Sequence, residues 1–455
     1  MKNETSGFFS TRGQSPAVSF SQAVETGLAP DGGLYLPEEL PNLSAHFSQW
    51  KTLPYPELCI QFLRYFVDFS DQELADIVHR SYAHFSHPDT APVVNLSHSI
   101  KILELFHGPT LAFKDFALQL LGNLYQAQIE RTRRPINVLG ATSGDTGAAA
   151  IHGLLGKKGV KIFILYPEGG VSPLQERQMT CLDAENVYPI AIKGPFDQGQ
   201  KWVKQAFADQ GFCREVGLSA VNSINLARIL AQSIYYIYGY LKVNPEKQPL
   251  DFLVPTGNFG NVLAGWLAQQ MGLPVRKFVV CTNQNDILHR LFSTGEYQVD
   301  TVKASVAPSM DIQIASNFER FLYYLEKKDH AKVRSVMEVF QKTGNYQFSN
   351  LKTPSFRSSR CADSEIKNII GEIYQKYHYL LDPHTACAFK ALQDDAIQLV
   401  LATAHPAKFP AVVQGATGIE PTAKSLEILK QKTPQKYYLD GNDVEAVKQF
   451  IRSVQ

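Results

Sequence analysis

The chain has 455 residues, 44% hydrophobic and 19% charged, the balance of a globular protein able to bury a full core. Its 44 basic and 43 acidic residues leave a net charge of +1, so bulk charge points neither to nucleic acid nor to a membrane surface, and an anionic ligand has to be held locally. The six cysteines (Cys59, Cys181, Cys213, Cys281, Cys361 and Cys387) form no C-x-x-C pair, which argues against a metal site or disulfide framework and for free thiols in a reducing, cytoplasmic setting.

At roughly 150 residues per domain the length predicts about two or three domains. The opening MKNETSGFFSTRG has no apolar core of the signal-peptide kind, so none is expected. Residues 1–95 form a mixed N-terminal segment, with Pro/Gly turns at PDGGLYLPEELP and short helical stretches. HGPTLAFKDFALQLLGNLYQAQ then reads as a turn leading into a helix. From Asn137 the pattern becomes regular. Strand-length apolar runs (INVLGAT, VKIFILYP, NVYPIAIKG) alternate with helical ones (GDTGAAAIHGLLGKKG, SPLQERQMTCLD, DQGQKWVKQAFADQ). A second series follows, with strands LSAVNS, LDFLVPTG and RKFVVCTN and helices INLARILAQSIYYIYGYLKV, GNVLAGWLAQQMG and NDILHRLFSTG. The long apolar helix carries Arg228 and Gly239, which marks it as a core helix rather than a membrane span. Residues 344–380 are polar and irregular and read as an insertion. QLVLATAHP returns as a late strand, and NDVEAVKQFIRSVQ closes the chain as an amphipathic helix. Two such series predict two α/β domains with mainly parallel sheets and a cleft between them. The small domain would span 137–215, and the large one 96–136 and 216–455.

Two places share one design: a buried strand, a Gly-rich turn and a helix N-terminus. One is VLGATSGDTGAAA, with Ser143, Gly144, Asp145, Thr146 and Gly147. The other is LVPTGNFGNVLAG, with Thr256, Gly257, Asn258, Phe259, Gly260 and Asn261. Free N–H groups and the helix dipole make such turns anion sites, and glycine admits close approach. Either turn alone can simply start a helix; the two together call for a ligand with two anionic ends, or for two ligands.

Lys114 stands at the start of its helix among Leu111, Ala112, Phe113, Phe116 and Ala117. Burial disfavours a charged amine and so produces the nucleophilic lysine that covalent catalysis on carbonyl groups needs. The plain alternative is a lysine whose stem lies along the helix and whose head reaches water. Asp115 reads equally as a first-turn acid favoured by the dipole.

HGPTLAFKDFALQ, ATSGDTGAAA, VPTGNFGN, PSMDIQIASNFERFLYYL, DPHTACAF and LATAHPAKF, in that order, resemble the threonine synthase family, as does the opening GLAPDGGLYLPEELP. The resemblance runs from about Phe20 to about Phe409 and is to the longer microbial and fungal form. It implies a tryptophan synthase β-like fold (fold type II) with pyridoxal 5'-phosphate in the cleft between two α/β domains. It also implies formation of L-threonine and phosphate from O-phospho-L-homoserine and water, by γ-elimination and β-addition, in a monomer or homodimer. By matching motif, Lys114 would carry the cofactor. Gly257, Asn258, Phe259, Gly260 and Asn261 would cradle its phosphate, and Thr403 would face its ring nitrogen. Ser143, Asp145 and Thr146 would face the substrate carboxylate, with Asp145 also near the cofactor's phenolic oxygen. Arg228 and Lys193 are cationic candidates for the substrate phosphate. His107, His384 and His405 lie inside these motifs without metal-ligand spacing and are read as structural. Ala117, Leu118, Cys387 and Phe389 replace residues that are commonly smaller in the family.

Other readings predict different things. A nicotinamide dehydrogenase would use LGATSGDTG as its dinucleotide turn, Glu168 as ribose acid and a Tyr324/Lys328 pair. The turn is not G-x-G-x-x-G, however, and this reading leaves GNFGN and Lys114 idle. A dehydratase or cysteine synthase of the same cofactor class would lack the GLAPDGGLYLPEELP opening and the HGPT lead into the lysine. A non-catalytic binding protein would need no apolar lysine beside two anion turns.

Overall fold

The computed structural model describes residues 7–243, 248–349, 351, 353–393 and 396–455. Residues 1–6 of the expected N-terminal segment, and 350 and 352 of the expected insertion, lie outside that set. Two sheets organise the chain. The larger has the order Phe356–Arg360, Val275–Thr282, Leu250–Pro255, Gln398–Ala402, Ile100–Glu104, Val93–Asn95, and only its last pair is antiparallel. The smaller is wholly parallel, in the order Tyr437–Tyr438, Val187–Ile192, Val160–Pro167, Ile136–Ala141, Leu218–Ala220. Central strands of parallel sheets are covered on both faces and therefore read as continuous apolar runs. Leu250–Pro255 and Gln398–Ala402 are buried at every position. Among the described residues no helix is long and apolar enough to cross a membrane.

The helix Lys114–Thr132 joins the two halves. It packs on the core helix Leu226–Val243 and, on its other side, on Asp145–Leu154, the first helix of the smaller sheet. The second contact is made backbone to backbone. A Cβ on Gly122 would fall 1.9 Å from the Gly153 carbonyl oxygen, and one on Gly153 would fall 2.3 Å from that of Leu118. No larger residue fits there, so the glycines fix the distance between the helix that begins at Lys114 and the helix that begins at Asp145.

Two expectations about chain order need correction. The 344–380 stretch carries the edge strand Phe356–Arg360 of the larger sheet and the helix Asp363–Tyr377. FRSSR is a partly exposed edge strand without an apolar run, so hydrophobic patterning does not reveal it. Nor does all of 216–455 lie with the larger sheet. Leu218–Ala220 pairs with Ile136–Ala141, and Tyr437–Tyr438 pairs with Val187–Ile192. The closing helix Val444–Ser453 buries Val447 and Ile451 against Leu139, Phe163 and Trp202.

Candidate active site

The loop before Lys114 is folded on its own acid. Thr110 donates its N–H (2.8 Å) and hydroxyl (2.6 Å) to Asp115, a carboxyl whose burial pushes it up to about 6. Leu111 takes a left-handed φ of 60°. The loop is then paired to the segment after Gln398–Ala402. Phe113 N–H donates to the Thr403 carbonyl (2.9 Å), His405 N–H to that of Leu111 (3.0 Å), and Ala112 bridges Ala404. Thr403 is thus held beside the start of the lysine helix. It is buried, and its hydroxyl has no hydrogen-bond partner among the described residues.

Lys114 Nζ lies 4.0 Å from Asp145 Oδ2. Burial lowers the ammonium's pKa to about 8; Asp145 opposes this, and the charges of Lys408 and Arg228 reinforce it. The expected apolar setting is therefore only half of the picture. Asp145 itself sits at the first position of its helix. Its Oδ1 faces Lys408 Nζ at 2.9 Å and accepts from Gln175 Nε2 at 3.1 Å, and its Oδ2 accepts from Ser309 Oγ at 2.9 Å. Burial alone would raise its pKa, but Lys408 and Lys114 outweigh that and hold the carboxyl well below the usual range.

The first Gly-rich turn is braced from below. Thr142 Oγ1 accepts from Gly144 N–H (3.0 Å) and Gly147 N–H (2.9 Å). The N–H groups of Ser143, Asp145 and Thr146 meet no acceptor among the described residues. Ser143 is exposed and Thr146 half-buried at the cleft. In the second turn the N–H groups of Gly257, Asn258, Phe259, Gly260 and Asn261 are all without an acceptor in the described residues. Asn261 Oδ1 accepts from Tyr235 (2.6 Å) and Tyr236 (2.9 Å), and its Nδ2 is buried and unpaired. Five free amides and an orphaned carboxamide donor form a cradle that fits a phosphate group.

Arg228 occupies the same helix as those tyrosines, two turns before Tyr235. It is buried, donates from Nη1 to the Val221 carbonyl at 3.0 Å, and has an unpaired Nε. Burial lowers its pKa to about 10. It faces no carboxylate within ion-pair distance among the described residues, and a buried cation in that state is strongly destabilising unless an anion joins it. Ser309 links the two turns: its hydroxyl reaches Asp145, and its carbonyl would lie 3.2 Å from a Cβ on Gly257.

Several participants were not singled out from sequence: Lys408, Ser309, Gln175 and Asp382. Lys408 and Ser309 fall within LATAHPAKF and PSMDIQIASNF, yet nothing in their spacing connects them with Asp145. Asp382 accepts from His384 Nδ1 (2.8 Å), and His384 Nε2 accepts from Ser309 N–H (3.1 Å), so the imidazole is a neutral brace for the Ser309 turn. His405 Nδ1 accepts from Ala407 N–H, and burial lowers its pKa to about 4; His107 pairs with Glu104 at 2.7 Å. Lys193 is exposed. Tyr324 packs on Trp266 at a centroid distance of 4.8 Å and Glu168 accepts from Tyr438, so neither serves the Ser143–Gly147 turn.

Three family descriptions match the chain in sequence order. "Threonine synthase N terminus" covers residues 7–82, "Pyridoxal-phosphate dependent enzyme" covers 100–408, and "Threonine synthase, C-terminal" covers 385–451. The threonine synthase of Pseudomonas aeruginosa is 44% identical over 90% of this chain and 90% of its own length. A pyridoxal-phosphate-bound threonine synthase from Brucella melitensis superposes with a TM-score of 0.94 at 40% identity, over 98% of this chain and 99% of that one. The yeast threonine synthase structure gives 0.92 at 38% identity, over 99% of each chain.

Proposed function

Because the chain belongs to the threonine synthase family of pyridoxal-phosphate-dependent lyases, we propose that its substrate is O-phospho-L-homoserine, which it converts with water into L-threonine and phosphate. The observation that carries this reading is the pair of unfilled donor sets around one lysine of lowered basicity. One set, on Gly257–Asn261, suits the cofactor phosphate. The other, on Ser143, Asp145 and Thr146, suits a substrate carboxylate. Arg228 supplies the cation for the substrate's own phosphate.

Pyridoxal phosphate, when bound, accepts into its ring the charge left by proton removal from the substrate. The chain's residues do the rest. Lys114, anchored at the first turn of its helix, takes the proton from Cα, gives it up to solvent, and as a neutral amine again takes one from Cβ. A pKa near 8 leaves a useful fraction of its amine free at neutral pH. Asp145, held ionised by Lys408, and Ser309 keep that amine directed across the cleft. Thr403 offers a neutral hydroxyl to the ring nitrogen. Arg228 and the free amides retain the anionic ends while the Cγ–O bond breaks, and phosphate leaves with all its oxygens. The Lys114 ammonium then protonates Cγ, water adds at Cβ, and a proton returns to Cα as threonine forms.

Turnover in heavy-oxygen water tests this. Label is expected in threonine and absent from the released phosphate, and heavy water is expected to place deuterium at Cα and in the methyl group. Label in phosphate with none at Cβ would mean attack at phosphorus and would overturn both the reading and the role of Lys114.

A further inference from the structure

The second Gly-rich turn can bind an anion only if its N–H groups converge, and its own residues do not ensure that. Phe259 is held at φ 63°, a left-handed conformation that a bulky residue keeps only when its surroundings over-determine it. Phe292 and Phe356 stack on its ring at 5.8 and 6.3 Å, and the rest of the surroundings comes from one short helix, Phe318–Leu325, and the two residues before it. Phe321 and Phe318 pack on the Phe259 ring at 5.4 and 6.2 Å. Asn317 N–H donates to the Asn258 carbonyl at 3.1 Å, and Ser316 Oγ donates to Asn258 Oδ1 at 3.2 Å. Asn317 Nδ2 donates to the Ser223 carbonyl (3.0 Å) and would lie 3.1 Å from a Cβ on Gly260.

What orients Asn317 is Arg320. This arginine is fully buried and has no carboxylate within ion-pair distance among the described residues. Its three donor nitrogens are spent on three oxygens: Nη1 on Asn317 Oδ1 (2.7 Å), Nη2 on the Ile224 carbonyl (2.6 Å) and Nε on the Tyr35 carbonyl (3.0 Å). Tyr35 belongs to the N-terminal segment. That segment is tied to the same helix a second time, through Thr11 and Arg12, which donate to Glu319 at 2.6 and 3.0 Å. A planar guanidinium spreads its donors over three nitrogens in a rigid fork and can span acceptors set well apart, whereas an ammonium's three donors all radiate from one nitrogen.

We propose that Asn317 and Arg320 are positioning residues for the phosphate cradle Gly257–Asn261, locked in place by the N-terminal segment through the Tyr35 carbonyl. The inference rests on the reading that this cradle takes the cofactor phosphate. It gives the N-terminal segment a function at the site that runs through a backbone carbonyl.

The test compares pyridoxal phosphate with pyridoxal, which has the same aldehyde and no phosphate. Both are titrated against the full-length apo-chain, and binding is followed by the visible absorbance of the link to Lys114. Arg320→Lys keeps the charge but loses the three-way fork; Asn317→Ala is the milder change should the first not fold. In either variant the affinity for pyridoxal phosphate is expected to fall about tenfold or more, the worth of one or two charge-assisted hydrogen bonds. The affinity for pyridoxal is expected to stay at the parent value. An equal loss for both compounds, or no loss for either, would overturn the proposal, since general damage does not distinguish them. A parent chain that binds the two compounds equally well would show instead that the cradle does not hold the cofactor phosphate.

Discussion

Asp145 Oδ1 lies 2.9 Å from Nζ of Lys408, a lysine whose side chain is completely shielded from water. The pair explains how a carboxylate can stand 4.0 Å from Lys114 without restoring that lysine to its ordinary basicity. Lys408 balances Asp145, so Lys114 feels a near-neutral neighbour and burial decides its state.

This relationship gives two opposite shifts. In the apo-chain the reactivity of Lys114 toward an amine-directed reagent should rise with pH through about 8, because only the neutral amine reacts. Asp145→Asn removes the charge that favours the ammonium and should move the midpoint down. Lys408→Met removes a repelling cation and should move it up. The second variant also leaves Asp145 without its closest cation and should cost about 3–5 kcal/mol in urea unfolding. Midpoints that move in the same direction would refute the balance.

Lys114→Ala should leave the circular dichroism and the thermal transition near those of the parent. It should abolish the visible band formed with pyridoxal phosphate, the borohydride-stable attachment and nearly all turnover. A surviving borohydride-reducible link would place the cofactor on another lysine.

Gly257→Ala should damage the site by a route that chemistry alone does not suggest. The new methyl would stand 3.0 Å from Ile312 Cδ1 and 3.2 Å from the Ser309 carbonyl oxygen. The Pro308–Met310 turn would have to lift, and with it the Ser309 bond to Asp145. A stability loss of about 1–3 kcal/mol is expected from the overpacking. Turnover should fall further than stability does, and wild-type kinetics would show that the turn yields freely.

Thr403→Asp should change the spectrum of the bound cofactor and suppress threonine formation. A carboxylate at that buried position favours a protonated ring nitrogen, whereas a hydroxyl supplies no counter-charge. An unaltered spectrum and rate would place Thr403 away from the ring.

The alternation of apolar runs from Asn137 onward corresponds to real strands and helices because those strands are largely buried and carry runs of apolar residues. Phe356–Arg360 escaped the same reading because an edge strand tolerates Arg and Ser. At the site, the two Gly-rich turns and Lys114 were legible as local designs: glycine, N–H groups and a helix start lie within a few residues of one another. Lys408 was not. Its meaning depends on a partner brought to it only by the meeting of the two sheets, and a buried lysine looks like any other lysine until its neighbour is known. Arg320 was hidden for the same reason, since its acceptors are mostly carbonyl oxygens, which every residue carries.

The smaller sheet is left at Ala220 and rejoined at Tyr437, and near the end of the chain Lys161 Nζ donates to the Val454 carbonyl while Asn137 Nδ2 donates to Gln455 Oε1 at 3.3 Å. A ribosome making this protein therefore delivers the edge strand and the covering helix of that sheet only after the whole of the larger sheet has emerged. Until then Phe163 and Trp202 lack the apolar cover that Val447 and Ile451 bring. The nascent chain must wait with that surface open until Val444–Ser453 is made, an interval of exposure to aggregation and to chaperones.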